Sequence, residues 1–453
     1  MKYDEQKNAN GIVIAPAGCG KTENIINIIK KYDGNKKILV LTHTNAGIDN
    51  IEKRLRKNGN LDSKCNVYTI ASFCLRYVKS YKILSKTIDD SYDSLYDGMC
   101  ILLENNHIKK VLSNTYALML VDEYQDCNLK QHNVIKKISK LIDFRVFGDP
   151  LQKIYDFRDE CVELNSIINN DYPYLGYMNY PWRWEKNKKL GSWIMDYRNK
   201  LENEETIGEI SSLIPVVKYY EYSNINELKK IAFDMLKCEG SNVILFNIDN
   251  QAQSFCKLLG GKFFYQEEVE CRTLKKIIKD IDDSKYNEIL IEFINICKVS
   301  FTNFKTIYSN ILSKIERNNY DFNKISKNKE EAQLIKSIHD DFDFIKLHQL
   351  INIIESNSEI KLYRKELWIV LKNIIKELIK DSNITALELL LSMRDSKNIK
   401  KYKYKNLVSR ILLVKGLEFD NVLVINPKEL TRELFYVAIS RPTKHLIIAQ
   451  KKY

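Results

Sequence analysis

Short apolar runs alternate with helical patterns through the first third of the chain. The runs Gly11–Ala15, Lys37–Thr42, Asn66–Ala71, Tyr116–Glu123 and Phe144–Asp149 read as strands, and Glu23–Lys31 and Ala46–Lys57 between them repeat their apolar residues at helical spacing. Alternation of this kind predicts a parallel sheet with helices on both faces and ligands at the carboxyl ends of the strands. A second set of strand-like runs, Asn242–Asn247, Ser409–Val414, Asn421–Ile425 and His445–Gln450, is split by a proline-free stretch, 262–400, rich in Ile, Lys, Asn and Glu. Leu371–Ile379 within it has helical spacing. The fold class expected is α/β: two parallel-sheet lobes with a helical insertion in the second. The boundaries expected are 1–170 for the first lobe, with a short accessory segment at about 76–115, then 171–261 and 401–453 for the second lobe and 262–400 for the insertion. The insertion reads either as an ordinary helical domain without chemistry or as a recognition domain.

A length of 453 residues suits two to four domains, and 44 % hydrophobic residues suffice for real cores. The surplus of 71 Lys+Arg over 59 Asp+Glu, a net charge of +12, fits a polyanion partner or a solvated lysine-rich surface equally well. The ten cysteines form no CxxC pair and no Cys/His cluster with metal-binding spacing, so reduced thiols are the simplest account. The polar Met1–Glu5 start is no signal peptide, and no apolar run approaches the roughly 20 residues of a membrane helix. These readings lead to the expectation of a cytoplasmic protein with no membrane partner.

Two segments carry candidate chemistry. Ala15-Pro16-Ala17-Gly18-Cys19-Gly20-Lys21-Thr22 follows a predicted strand and opens a predicted helix, the setting a phosphate-binding loop requires. Gly18 and Gly20 let backbone N–H groups turn onto phosphate oxygens, the helix start adds positive potential, Lys21 reaches the β- and γ-phosphates, and the Thr22 hydroxyl suits Mg²⁺. Ala15 stands where the strict pattern has its first glycine. Leu118–Asp126 supplies the matching half: an apolar strand ends in paired carboxylates, Asp122 for Mg²⁺ and Glu123 to orient and deprotonate the attacking water. The two halves together point to ATP hydrolysis with Mg²⁺.

Asp122-Glu123-Tyr124-Gln125-Asp126 resembles the second motif of the UvrD/Rep-like group of superfamily 1 helicases, and further segments follow in that group's order. The resemblance implies two RecA-like lobes and a set of roles. His43 and Asn45, in Thr42-His43-Thr44-Asn45, are expected to touch single-stranded DNA, with His43 in place of the usual aromatic. Thr69 is a second candidate contact; Ile70-Ala71 replaces the group's Phe-His pair, and strand-end packing is the competing reading. In Phe147–Arg158, Gln152 is expected to sense the γ-phosphate, while Tyr155 and Phe157 face DNA. Phe157 holds the position of a base-stacking Trp, with a core aromatic as the alternative. In Asn179–Trp184, Arg183 is expected as an arginine finger and Trp182 as the ring stacked on adenine, with Gln6 at the adenine edge. Glu418, in Leu413–Asp420, is expected on the ribose and triphosphate side, and Leu412 stands where a histidine is common. Arg441, in Leu434–Thr443, is expected as a second finger. The resemblance puts Lys21, Thr22, Asp122 and Glu123 on the first lobe and both arginines on the second.

Only about 40 residues separate the Thr69 segment from the Asp122 motif, where larger members of the group carry an accessory domain. About ten residues follow Arg441, so the 262–400 insertion is expected to stand in for the other accessory domain. Lys400–Lys405 interleaves cations and rings that suit either nucleic acid or a solvated surface. Two functions follow from the resemblance. One is an ATP-dependent DNA helicase or translocase, stimulated by single-stranded or partially duplex DNA and stepping 3′→5′. The other is a DNA- or nucleotide-sensing ATPase subunit that regulates a partner nuclease, as in Gabija-type antiphage systems.

Overall fold

The computed structural model describes residues 9–81, 92–154, 161–203, 215–266, 272–381, 384–387, 389–390 and 405–452. They divide into two compact units, one comprising 1–217, 416–418 and 430–445, the other 218–415, 419–429 and 446–453.

The first unit is built on six strands: β1 (Gly11–Ile14), β2 (Lys37–Thr42), β3 (Cys65–Thr69), β4 (Tyr116–Val121), β5 (Asp143–Gly148) and β6 (Tyr174–Tyr177). Their order is β3-β2-β4-β5-β1-β6 and every pairing is parallel. Burial on both faces explains why these strands read as continuous apolar runs instead of alternating ones. Neighbouring side chains on each strand still go to opposite faces. Ile12, Ile14, Leu39, Leu41, Met119 and Val121 join one core with α3 (Ile70–Ser80), α4 (Tyr92–Leu102), α5 (Asn106–Thr115) and α6 (Leu129–Ile138). Val13, Ile38, Val40, Leu120 and Phe147 join another with α1 (Lys21–Lys31) and α2 (Asn45–Lys57). The unit also holds α7 (Leu164–Asn170) and α8 (Lys188–Asn203). β3 stops at Thr69, two residues short of the expected end, because the Thr69 hydroxyl accepts the Ser72 N–H and caps α3.

The second unit carries β7 (Val217–Tyr222), α9 (Ile225–Met235), β8 (Asn242–Phe246), α10 (Asp249–Leu258) and β9 (Phe264–Tyr265) before the insertion. The insertion is α11 (Arg272–Asp282), α12 (Tyr286–Ser300), β10 (Phe301–Thr302), α13 (Phe304–Ile307), α14 (Ser309–Ile315), α15 (Lys329–Asp340), α16 (Phe344–Ser356), β11 (Lys361–Leu362) and α17 (Lys365–Lys380). It has its own apolar core, in which Trp368 meets Phe301 edge-on at 4.8 Å and donates its indole N–H to Glu355 at 2.7 Å. Then come β12 (Asn406–Arg410), β13 (Phe419–Ile425) and β14 (Pro442–Lys451), while α18 (Arg432–Ile439), between β13 and β14 in the chain, belongs to the first unit. The sheet order is β7-β14-β13-β8-β12-β9, with β8, β9, β12 and β13 paired in parallel. The strand expected at Ser409–Val414 lies three residues earlier. Ile411–Val414 instead forms a 3-10 turn that buries Ile411 and Val414, three residues apart and so on one side of it.

Candidate active site

The loop between β1 and α1 is shaped by two glycines at positive φ, 74° at Gly18 and 86° at Gly20. A side chain at either would also collide: a Cβ at Gly18 would lie 2.8 Å from the Trp184 ring, and one at Gly20 would lie 2.8 Å from Trp182. The loop is tied to its surroundings by backbone bonds. Ala15 N–H donates to Gly148 O at 2.8 Å, and Arg183 N–H donates to Gly18 O at 3.0 Å. Ala17 N–H donates to the buried Tyr436 hydroxyl at 3.0 Å. Cys19 is buried inside the loop, and burial, reinforced by Asp149, pushes its thiol up to about 12, so it stays protonated and inert.

Lys21 opens α1 and is nearly enclosed. Its ammonium lies 2.7 Å from Glu123 Oε1 and 3.5 Å from Asp122 Oδ1. Burial alone pulls a lysine down; here Glu123 and Asp122 outweigh it and hold the ammonium firmly charged. Burial pushes the Asp122 carboxyl up, Lys21 pulls it back and Glu123 adds to the rise, leaving it at about 6. Glu123 sits beyond the end of β4 at a left-handed φ of 57°, a conformation that costs a non-glycine residue about 1–2 kcal/mol. That turn sends its carboxylate toward Lys21, while Gln125 Nε2 donates to its other oxygen at 2.6 Å.

Gln125 continues into the loop after β5. Its Oε1 accepts the Asp149 N–H at 3.1 Å. The fully buried Asp149 carboxylate accepts from Gln152 Nε2 at 2.8 Å and from Arg198 at 2.9 Å. Gln152 therefore reaches Glu123 through Asp149 and Gln125.

The arginines expected as fingers fall in the same unit as Lys21. Arg183 donates to Ser440 O at 2.7 Å and to Glu418 at 2.9 Å, with its guanidinium over the Trp184 ring. Burial raises Glu418, but Arg183 outweighs it and holds the carboxyl below its ordinary range. Arg441 is buried and donates to neutral groups, Val437 O, Leu417 O and the Ser440 hydroxyl. Burial and the nearby Arg183 push it down to about 9. An incoming anion would relieve that strain. Trp182 lies against Gly20 and is 56 % exposed, with Tyr180 beside it at 4.3 Å.

The expected DNA contacts are less complete. His43 lies just beyond the carboxyl end of β2, its Nε2 3.5 Å from Cys127 Sγ. Asn45 opens α2. Thr69 ends β3 opposite Thr42 and spends its hydroxyl on capping α3. Gln6, Tyr155 and Phe157, with most of Lys400–Lys405, lie outside the described residues. Sequence reasoning missed Arg198, Gln125 and Tyr436 as parts of the site. Arg198 alone left a readable signal: a charge on the face of α8 that buries Leu190, Ile194 and Leu201.

The donor set suits Mg²⁺. Thr22 hydroxyl and Asp122 carboxylate are hard oxygens, and no cluster of three or more His, Cys, Asp or Glu among the described residues offers an all-protein cage. Mg²⁺ characteristically takes one or two protein oxygens and completes its shell with phosphates and water.

A glycine-turned loop between a parallel strand and a helix, its lysine set against paired carboxylates and flanked by two arginines, defines a P-loop ATPase of the helicase type. The arrangement is similar to that of UvrD/Rep-like superfamily 1 helicases, enzymes of the ATPase/helicase class, and the comparisons with known proteins point the same way. A family model described as an AAA domain matches residues 4–158. Gabija protein GajB of Bacillus cereus (strain VD045) is 24 % identical over 337 residues, 61 % of this chain and 67 % of that protein. The ATP-dependent DNA helicase Rep of Buchnera aphidicola subsp. Acyrthosiphon pisum is 28 % identical over 176 residues, 38 % of this chain and 24 % of that protein. The RecBCD enzyme subunit RecB of Borreliella burgdorferi is 23 % identical over 350 residues, 68 % of this chain and 29 % of that protein. The chain thus spans about two thirds of GajB but under a third of Rep or RecB. No helix among the described residues is long and apolar enough to cross a membrane.

Proposed function

We propose that the chain is a DNA-stimulated ATPase that moves along single-stranded DNA, 3′→5′ as its resemblance to the UvrD/Rep-like group implies. The observation that carries the reading is Lys21 held between Asp122 and Glu123 at the start of α1, with Arg183 bonded through its backbone to Gly18 of the glycine loop and through its guanidinium to Ser440, the neighbour of Arg441. Lys21 exchanges its carboxylate partners for the β- and γ-phosphate oxygens. Trp182 offers its exposed ring to adenine, and Glu418 borders the ribose and triphosphate. Glu123, freed from Lys21, orients a water and accepts its proton as the new oxygen–phosphorus bond forms and the bond to ADP breaks. Gln152 senses the γ-phosphate, and the two guanidiniums neutralise the charge on the transferring group. Thr22 and Asp122 are the residues that would hold Mg²⁺, which neutralises phosphate charge when bound. His43 and Asn45 follow β2 and Thr69 ends the neighbouring β3, at strand ends where a DNA strand would run; Tyr155 and Phe157 are DNA contacts by the resemblance alone.

The test is ATP turnover by the full chain with and without single-stranded oligonucleotide, alongside displacement of an annealed strand. Stimulated turnover with displacement supports a helicase. Stimulated turnover without displacement, restored by a co-purifying nuclease, supports the second reading, a sensing subunit in a Gabija-type defence system. The match across 67 % of GajB favours that second reading. Absence of ATP hydrolysis sinks both.

A further inference from the structure

We propose that Arg198 is a positioning residue for hydrolysis, fixing through one buried carboxylate the geometry in which both Gln152 and Glu123 meet the γ-phosphate. The inference rests on the ATPase reading above.

Arg198 and Asp149 are both fully buried and paired at 2.9 Å. The Asp149 carboxylate accepts from Gln152 at 2.8 Å, and its backbone N–H donates to Gln125 at 3.1 Å. Gln125 in turn holds Glu123 at 2.6 Å. One aspartate therefore sets both the glutamine expected at the γ-phosphate and the one that steadies the base. What sets the aspartate is Arg198. Its guanidinium is clamped by the Tyr177 hydroxyl at 2.7 Å and Glu202 at 2.9 Å, and lies 5.5 Å from the centre of the Tyr177 ring and 5.7 Å from that of Tyr436. Tyr436 accepts the Ala17 N–H, so the same cation backs the phosphate loop.

Stability alone gives no reason for this charge. The site is an apolar helix face, where a hydrophobic side chain of similar volume is commonly as stabilising as a buried ion pair. Among the described residues Arg198 Nε finds no acceptor, so the pairing there is incomplete. The planar fork, however, holds Asp149 and the Tyr177 hydroxyl at once, which an ammonium cannot do with the same geometry.

Arg198→Lys keeps the charge and loses the fork. In the full chain with saturating single-stranded DNA, kcat should fall about tenfold to a hundredfold, with KM for ATP within about threefold of wild type. Adding Gln152→Ala should produce no further loss beyond the slower single variant, because both act through one carboxylate. Wild-type kcat in Arg198→Lys, or losses that multiply in the double variant, overturns the proposal. If Arg198→Lys does not fold, Tyr177→Phe decides: a drop of about threefold in kcat at unchanged melting temperature supports it, and an unchanged kcat overturns it. A wild-type chain that hydrolyses no ATP removes the ATPase reading itself; an active wild type with an indifferent Arg198→Lys removes only this inference.

Discussion

Replacing Glu123 by glutamine separates binding from chemistry, and the structure fixes the sign of both changes. In the described state Glu123 occupies Lys21, at 2.7 Å, with Asp122 a more distant second partner at 3.5 Å. A phosphate must displace that carboxylate before Lys21 can hold it. A charge-assisted bond of this kind contributes about 1.5–3 kcal/mol, and a neutral amide acceptor in its place about half as much. The variant therefore lowers the competition by ~1 kcal/mol, which corresponds to ATP binding up to about fivefold tighter. The base is lost at the same time, so kcat should fall by about 10²–10⁴. Calorimetric titration of the variant with MgATP, compared with wild type and a slowly hydrolysed analogue, reads the first change; steady-state phosphate release reads the second. Turnover within about threefold of wild type would show that Glu123 is not the base. ATP binding weakened by more than about tenfold would show that the Lys21–Glu123 pair is no competitor of the nucleotide.

Three further outcomes follow from the same geometry. Lys21→Ala removes the ammonium that Asp122 and Glu123 share, and should abolish both ATP binding by calorimetry and turnover. Trp182→Ala removes an exposed ring worth roughly 1–3 kcal/mol of base stacking, so the ATP dissociation constant should rise by about five- to a hundredfold; a quench of tryptophan fluorescence on ATP addition should disappear with it. Trp368→Ala opens a hole in the core of the insertion and should destabilise it by about 3–5 kcal/mol, visible as an earlier transition in thermal melts followed by circular dichroism.

The backbone of the first sheet was readable because five of its six strands are short apolar runs separated by amphipathic helices. β2 and the end of α1 fall where the pattern puts them. β6 escaped notice: Tyr174-Leu175-Gly176-Tyr177 is four residues with a glycine and two tyrosines, too short and too mixed to announce burial. β12 was misplaced because Ile411–Val414 is the more apolar run, and a short apolar run cannot show whether it will extend or turn. The phosphate loop and the paired carboxylates were legible because their chemistry depends on residues adjacent in sequence. The links from Glu123 through Gln125 and Asp149 to Arg198 were not, since they join positions up to 49 residues apart and depend on how α8 is seated. Arg183 and Glu418 were each expected near the nucleotide, but their mutual bond spans 235 positions and no local pattern encodes it.

The first sheet has two unequal rims. Every group assigned to chemistry on its strands leaves from the carboxyl ends: the glycine loop after β1, His43 after β2, Thr69 at the end of β3, Asp122 and Glu123 after β4, and Asp149 after β5. The opposite rim, with Tyr32–Lys36 before β2, Asn58–Lys64 before β3 and Ser139–Ile142 before β5, carries none. Evolutionary drift and protein engineering are thus steered to the same edge. Fluorophores, tags or grafted loops can be hung on the silent rim while the reactive one keeps its register, and a chain of this build can change its attachments there without relearning how to handle its nucleotide.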